Sequence, residues 1–148
     1  MRKLKSNVLI KLLLVMVCSS SLAAERDFTI VQLDEFEWDE NSTEIQRQNI
    51  YSSPDQEGFY VYRVRFPEGG STMPHSHSME RHVTVIEGTW YAGADASHDM
   101  NRATPITPGG FMIHPPGAVH FDGAIDGYVV VEIKGIGPVT TTEVEIER

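Results

Sequence analysis

From Phe28 onward the apolar positions fall in short runs parted by turn residues, and no stretch carries a sustained helical period. The clearest run is Phe59 to Phe66. There Tyr60, Tyr62, Val64 and Phe66 share one face while Arg63 and Arg65 lie on the other, the alternation of a strand buried on one side. Phe28 to Leu33, His82 to Glu87, Thr89 to Ala92, Phe111 to His114, Val119 to Phe121, Tyr128 to Lys134 and Val139 to Ile146 read as further strands. Glu87-Gly88, Pro108-Gly109-Gly110, Pro115-Pro116-Gly117, Asp122-Gly123 and Gly135-Ile136-Gly137-Pro138 punctuate them. Short strands at this spacing predict an all-β sandwich or barrel. Residues 34 to 50 have no clear period and leave room for a helical turn, and Gly93 to Arg102 reads as a polar loop.

The first two dozen residues follow another pattern. Arg2, Lys3 and Lys5 make a basic head, Leu12 to Cys18 is apolar, and Ser21-Leu22-Ala23-Ala24 supplies small residues for cleavage. This predicts a secretory signal peptide over 1–23, a single domain over 24–148, and a periplasmic or secreted location. The apolar run is shorter than the roughly 20 residues of a spanning helix, so no membrane span is expected. Cys18 ends that run where a lipoprotein carries its lipid-modified cysteine, but Val17 occupies a place where such signals have Gly, Ala or Ser, and the lipoprotein reading ranks lower. Cys18 is also the chain's single cysteine. A mature domain without it has no disulfide and no thiol, so any metal must be held by nitrogen and oxygen.

Charge narrows the partners. The chain has 12 basic and 21 acidic residues, and loss of Arg2, Lys3, Lys5 and Lys11 with the leader leaves 8 against 21. So acidic a surface repels phosphate backbones and excludes nucleic acid as a partner. The acidic stretch from Asp34 to Glu40 lacks the spaced ligands and turn glycine of a calcium loop and reads as a solvated segment.

The candidate chemistry lies in the histidines. His75 and His77 are one residue apart, so on an extended segment both project to one side, and His120 follows a Pro115-Pro116-Gly117 turn about forty residues on. If a later strand brings His120 back, one transition metal ion gains three neutral nitrogen ligands and keeps positions open for water or substrate. Calcium and magnesium are disfavoured, since both prefer oxygen donors. His114, just before Pro115, could approach the site but reads first as a core or rim histidine. His98 reads as a loop residue, and Ser97-His98-Asp99 is no triad, because adjacent residues do not converge.

These residues resemble the two metal-binding motifs of the cupins. The first motif has the form G-x5-H-x-H-x3/4-E-x6-G, matched by Gly69, His75, His77 and Gly88. The second has the form G-x5-P-x-G-x2-H-x3-N, matched by Gly109, Pro115, Gly117 and His120. The resemblance spans about Phe59 to Pro138 and implies a cupin-type double-stranded β-helix, or jelly-roll barrel, with the three histidines facing its interior. It also implies one transition metal ion (iron, manganese, zinc or nickel), a small-molecule ligand, and a homodimer formed through strand edges or outer sheet faces.

Two positions depart from the motifs: Ala124 stands for the asparagine and Arg81 for the glutamate. The fourth metal position is therefore contested between an open site, His82 brought inward by a bulge or by the longer spacing, and Glu80 reaching back. Arg81 shares a face with Val83 and Val85, which reads as the inner face. A divalent ion about 4 Å from a guanidinium is repelled by roughly 8 kcal/mol at an effective dielectric of 20. Arg81 must then turn outward to an acid, or meet an anion such as a substrate carboxylate lying between it and the ion. Two classes of function follow. One is an exported mononuclear metal enzyme, dioxygenase-like or an isomerase or lyase, acting on a small, carboxylate-bearing organic substrate. The other is a non-catalytic metal-binding, ligand-binding or sensor cupin, with a barrel that has lost its metal as a further variant.

Overall fold

The computed structural model describes residues 28–147, so the expected leader over 1–23 lies outside the described residues. Among the described residues the strands are β1 (Gln46–Tyr51), β2 (Gly58–Phe66), β3 (His75–His77), β4 (Arg81–Glu87), β5 (Trp90–Gly93), β6 (Thr104–Ile106), β7 (Phe111–His114), β8 (Phe121–Gly123), β9 (Val129–Gly137) and β10 (Thr141–Glu143). Short 3-10 turns occupy Leu33–Glu35 and Met100–Arg102. The all-β expectation holds.

The alternation read in β2 becomes the spine of a five-stranded sheet ordered β1-β2-β9-β4-β7. β2 pairs along its whole length with β9, from Gly58 opposite Gly137 to Phe66 opposite Val129. A second layer, β6-β5-β8, is carried on by the bridges Ser71–Gly123 and His75–His120 to the pair β3-β10. The two layers close on one core. Tyr60, Tyr62, Val64 and Phe66 of β2, Val83 and Val85 of β4, and Val129, Val131 and Ile133 of β9 pack against Trp90 and Ala92 of β5. Each such large side chain, once buried, contributes about 1.5–3 kcal/mol of hydrophobic free energy. Gly88 makes the β4–β5 turn at φ +73°, and a Cβ on it would lie 2.2 Å from the Tyr128 carbonyl oxygen.

The sequence reading misplaces the first strand. Phe28 to Leu33 forms none, and the segment left ambiguous, 34 to 50, ends in β1. β1 is an edge strand, with alternate residues exposed and one flank unpaired, so Gln46, Arg47, Gln48 and Asn49 suit it although they show no apolar period. β6, with Pro105 at its centre, is likewise an edge strand without a period. The strand expected over Val139 to Ile146 shortens to β10.

Candidate metal centre

His75 and His77 flank Ser76 on β3 and both are buried, as two residues one apart on a strand must be when one face meets a core. The turn Pro115-Pro116-Gly117 brings His120 back: the Gly117 amide donates to the His77 carbonyl at 2.8 Å, with Gly117 at φ +74°. His75 and His120 then exchange both backbone hydrogen bonds, each 2.9 Å, so their side chains leave the ladder on the same side. The ring centres lie 4.3 Å apart for His75–His120, 4.8 Å for His75–His77 and 5.2 Å for His77–His120. One nitrogen from each of the three falls within 4.8 Å of the others.

Hydrogen bonds fix which nitrogens are offered. His75 donates Nδ1–H to the Met73 carbonyl at 2.7 Å, and His120 donates Nδ1–H to the Ala118 carbonyl at 3.0 Å. Both rings therefore present the Nε2 lone pair inward, and His120 Nε2 is buried without a partner. At His77 the Arg81 guanidinium reaches both ring nitrogens, and Nδ1 also lies 3.1 Å from Thr141 Oγ1. Burial, reinforced by the Arg81 charge, holds His77 down to about 2. Burial likewise holds His120 down to about 4, against the opposing pull of its backbone hydrogen bond. Three imidazoles, each with a ring nitrogen within 4.8 Å of the others and one of those nitrogens orphaned, fit a transition metal ion.

Arg81 takes the inward course that its alternation with Val83 and Val85 predicts. It is 9% exposed, its Nε has no partner, and no ion pair among the described residues includes it. The first of the two alternatives, an outward turn to an acid, is therefore overturned. Arg81 borders a cleft of about 270 Å³ lined also by Arg47, Tyr60, Tyr62, His77 and Thr141. The Arg47 guanidinium sits 4.2 Å from the centre of the Tyr62 ring, so two cations and one acid, Asp55, border this opening.

His82 is not brought to the centre. It lies on the outer face with its ring against Phe111 and its Nε2 2.7 Å from Glu80 Oε1, which removes Glu80 as well. β4 does carry a register shift, but between Val85 and Glu87. At His82 the pairing with Lys134 and Ile113 is regular, so nothing turns the ring inward.

Two further buried residues join the cluster, His114 by the approach weighed second in the sequence and Asp122 unforeseen. His114, 2% exposed, stands 3.8 Å from His120 and 5.9 Å from Trp90 by ring centres. Asp122 places Oδ2 3.9 Å from His120 Nε2, and burial pushes its carboxyl up from the ordinary range. The signal for both was the same two-residue alternation, Met112 to His114 on β7 and His120 to Asp122 into β8. His98 is half-buried, 3.1 Å from Ser71 Oγ, and takes no part.

A two-layer β-barrel with histidines from two motifs converging inside it defines the cupin class. The chain belongs to the ChrR cupin-like domain family, whose model matches residues 26–139. It is 32% identical over 69 residues to germin-like protein subfamily T member 3 of Arabidopsis thaliana, covering 46% of this chain and 30% of that one. A second germin-like protein, from Mesembryanthemum crystallinum, is covered over 36% of its length, so the chain spans about a third of the curated relatives it matches. Among solved structures, a cupin-like protein from Thermotoga maritima superposes with a TM-score of 0.56 at 22% identity, covering 67% of this chain and 76% of that one. The DMSP lyase DddQ from Ruegeria pomeroyi superposes with a TM-score of 0.58 at 16% identity, covering 70% and 53%. At these identities the likeness concerns the fold.

Proposed function

We propose that the protein is an exported cupin enzyme that holds one transition metal ion on His75, His77 and His120 and binds a small carboxylate-bearing organic substrate through Arg81. The observation that carries this reading is the convergence of three imidazole nitrogens within 4.8 Å of one another. A bound ion supplies a Lewis acid with open positions for substrate and, if it is iron, oxygen chemistry.

The chain's own residues do the rest. The Met73 and Ala118 carbonyls hold two rings in the required tautomer. Arg81 exchanges its contact with His77 for a substrate carboxylate, a fork matched to two oxygens, and that negative charge offsets the repulsion of roughly 8 kcal/mol between guanidinium and ion. Tyr60 and Tyr62, both buried, wall the cleft and narrow the access of water. Oxygen-dependent oxidation is the first reaction to test, because the site shows no pair committed to acid–base work. Phe59, Phe111, Ile113 and Ile136, about half exposed on the outer face of the large sheet, support a homodimer.

Metal analysis of the purified mature protein should find about one ion per chain. Oxygen uptake over a panel of carboxylates, diketones and catechols should disappear in His120→Ala. Full loading without turnover of any kind would refute the enzyme and leave the non-catalytic binder. A second reading rests on the Arg81–His77 contact, which occupies the nitrogen a metal needs. In that reading the barrel is metal-free, and Arg81 receives an organic anion directly. Purified protein that takes up no metal yet binds a carboxylate would establish it.

A further inference from the structure

His114 is an uncommon residue to find so deeply buried with nothing to bond to. Both of its ring nitrogens are enclosed and neither has a partner. Leaving such a group unsatisfied costs about 1–3 kcal/mol, so a ring that is merely core is better served by an apolar side chain. Its position is not arbitrary. Across the β4–β7 ladder His114 is the direct partner of Arg81, the residue standing where the first motif has its glutamate. On one face of an antiparallel pair, directly opposite side chains are neighbours. The missing acid is thus answered from the adjacent strand by a nitrogen donor.

The local donor set points the same way. Ligand atoms of His114, His120 and Asp122 lie within 4.8 Å of one another, as do those of His75, His77 and His120. The two groups share His120, whose Nδ1 is committed to the Ala118 carbonyl, so its one free nitrogen can serve a single ion. Both groups therefore border the ion that His120 would bind, with the His114 ring centre 6.4 Å from that of His77. His77 meanwhile spends its Nε2 on Arg81. Of the imidazoles around His120, His75 and His114 carry the lone pairs that Arg81 leaves free, and an Asp122 oxygen stands 3.9 Å from His120 Nε2.

We propose that His114 is a fourth nitrogen ligand of the metal centre, taking the place of the motif glutamate lost at Arg81. This rests on the metal-binding reading above and goes beyond it by enlarging the ligand set. Zinc is a suitable probe for both. X-ray absorption on the zinc-loaded protein should count four imidazoles in wild type and three in His114→Leu, with zinc affinity by chelator competition falling more than about 100-fold, beyond the usual cost of losing an outer-shell partner. His114→Gln should behave alike, and melting curves in chelator should show both variants folded. An imidazole count that does not fall in folded His114→Leu, or an unchanged zinc affinity in it, would overturn the proposal while leaving the three-histidine centre in place. A wild-type protein that binds no zinc would overturn both.

Discussion

Arg81 reverses a charge at the position that most affects a metal's surroundings. A glutamate there would neutralise part of an ion's charge and fill a ligand position; a guanidinium does neither, and at about 4 Å it repels the ion. It is buried and makes no ion pair among the described residues, which suits it to the proposed role of receiving an anion. Arg81→Ala should weaken binding of a simple carboxylate such as succinate to the zinc-loaded protein by roughly 10- to 100-fold, as loss of a charged hydrogen-bonding partner does, with zinc content unchanged. Calorimetric titration reads this directly, and equal affinities would remove Arg81 from the substrate site. The inward course of Arg81 was legible in the sequence because Val83 and Val85 fix which face of the strand is buried. His75, His77 and His120 were legible because motif spacing alone sets them. His114 and Asp122 were not, since each needs the register of a neighbouring strand to be known before its side chain has an address.

Among the elements, the long alternating strands announce themselves and the short ones do not. β2 and β9 carry most of the core; β2 could be drawn almost residue by residue, whereas β9 runs on to Gly137, through residues read as a turn, because they pair with the start of β2. β3 is three residues long, and β1 and β6 are polar edge strands, so their places are decided by what they pair with. The same dependence makes the β4–β5 turn a sensitive joint. Gly88 holds a left-handed conformation, and its missing Cβ makes room for the Tyr128 carbonyl, which is backbone and has little freedom to move. Gly88→Ala should cost on the order of 2–4 kcal/mol, more than conformational preference alone, because strain and a backbone clash add. Denaturant unfolding measures it. A loss below about 1 kcal/mol would mean that the turn simply rearranges.

Taken as a whole molecule, the metal-free barrel keeps a group of neutral imidazoles out of water, and that ties its stability to pH. The ordinary histidine value is 6.5, whereas burial holds His77 and His114 down to about 2 and His120 down to about 4. Below 6.5 the unfolded chain takes up protons that the folded chain refuses, so acid favours unfolding until the folded state itself titrates. The raised Asp122 carboxyl acts in the opposite sense: above 3.8 the unfolded group ionises first, and its contribution is lost as pH rises through the elevated value. Three histidines outweigh one acid. The melting temperature of the metal-free protein should therefore fall from about pH 7 to about pH 5, and the fall should be shallower in His114→Leu. A flat profile would show that the folded rings take up protons as readily as the unfolded ones.

The backbone bridge between His75 and His120 has one more consequence. These residues enclose a long, two-motif segment of chain, and no cysteine lies among the described residues to fasten it. An ion gripped at both ends would act as a rivet, pinning that segment shut without any sulfur chemistry.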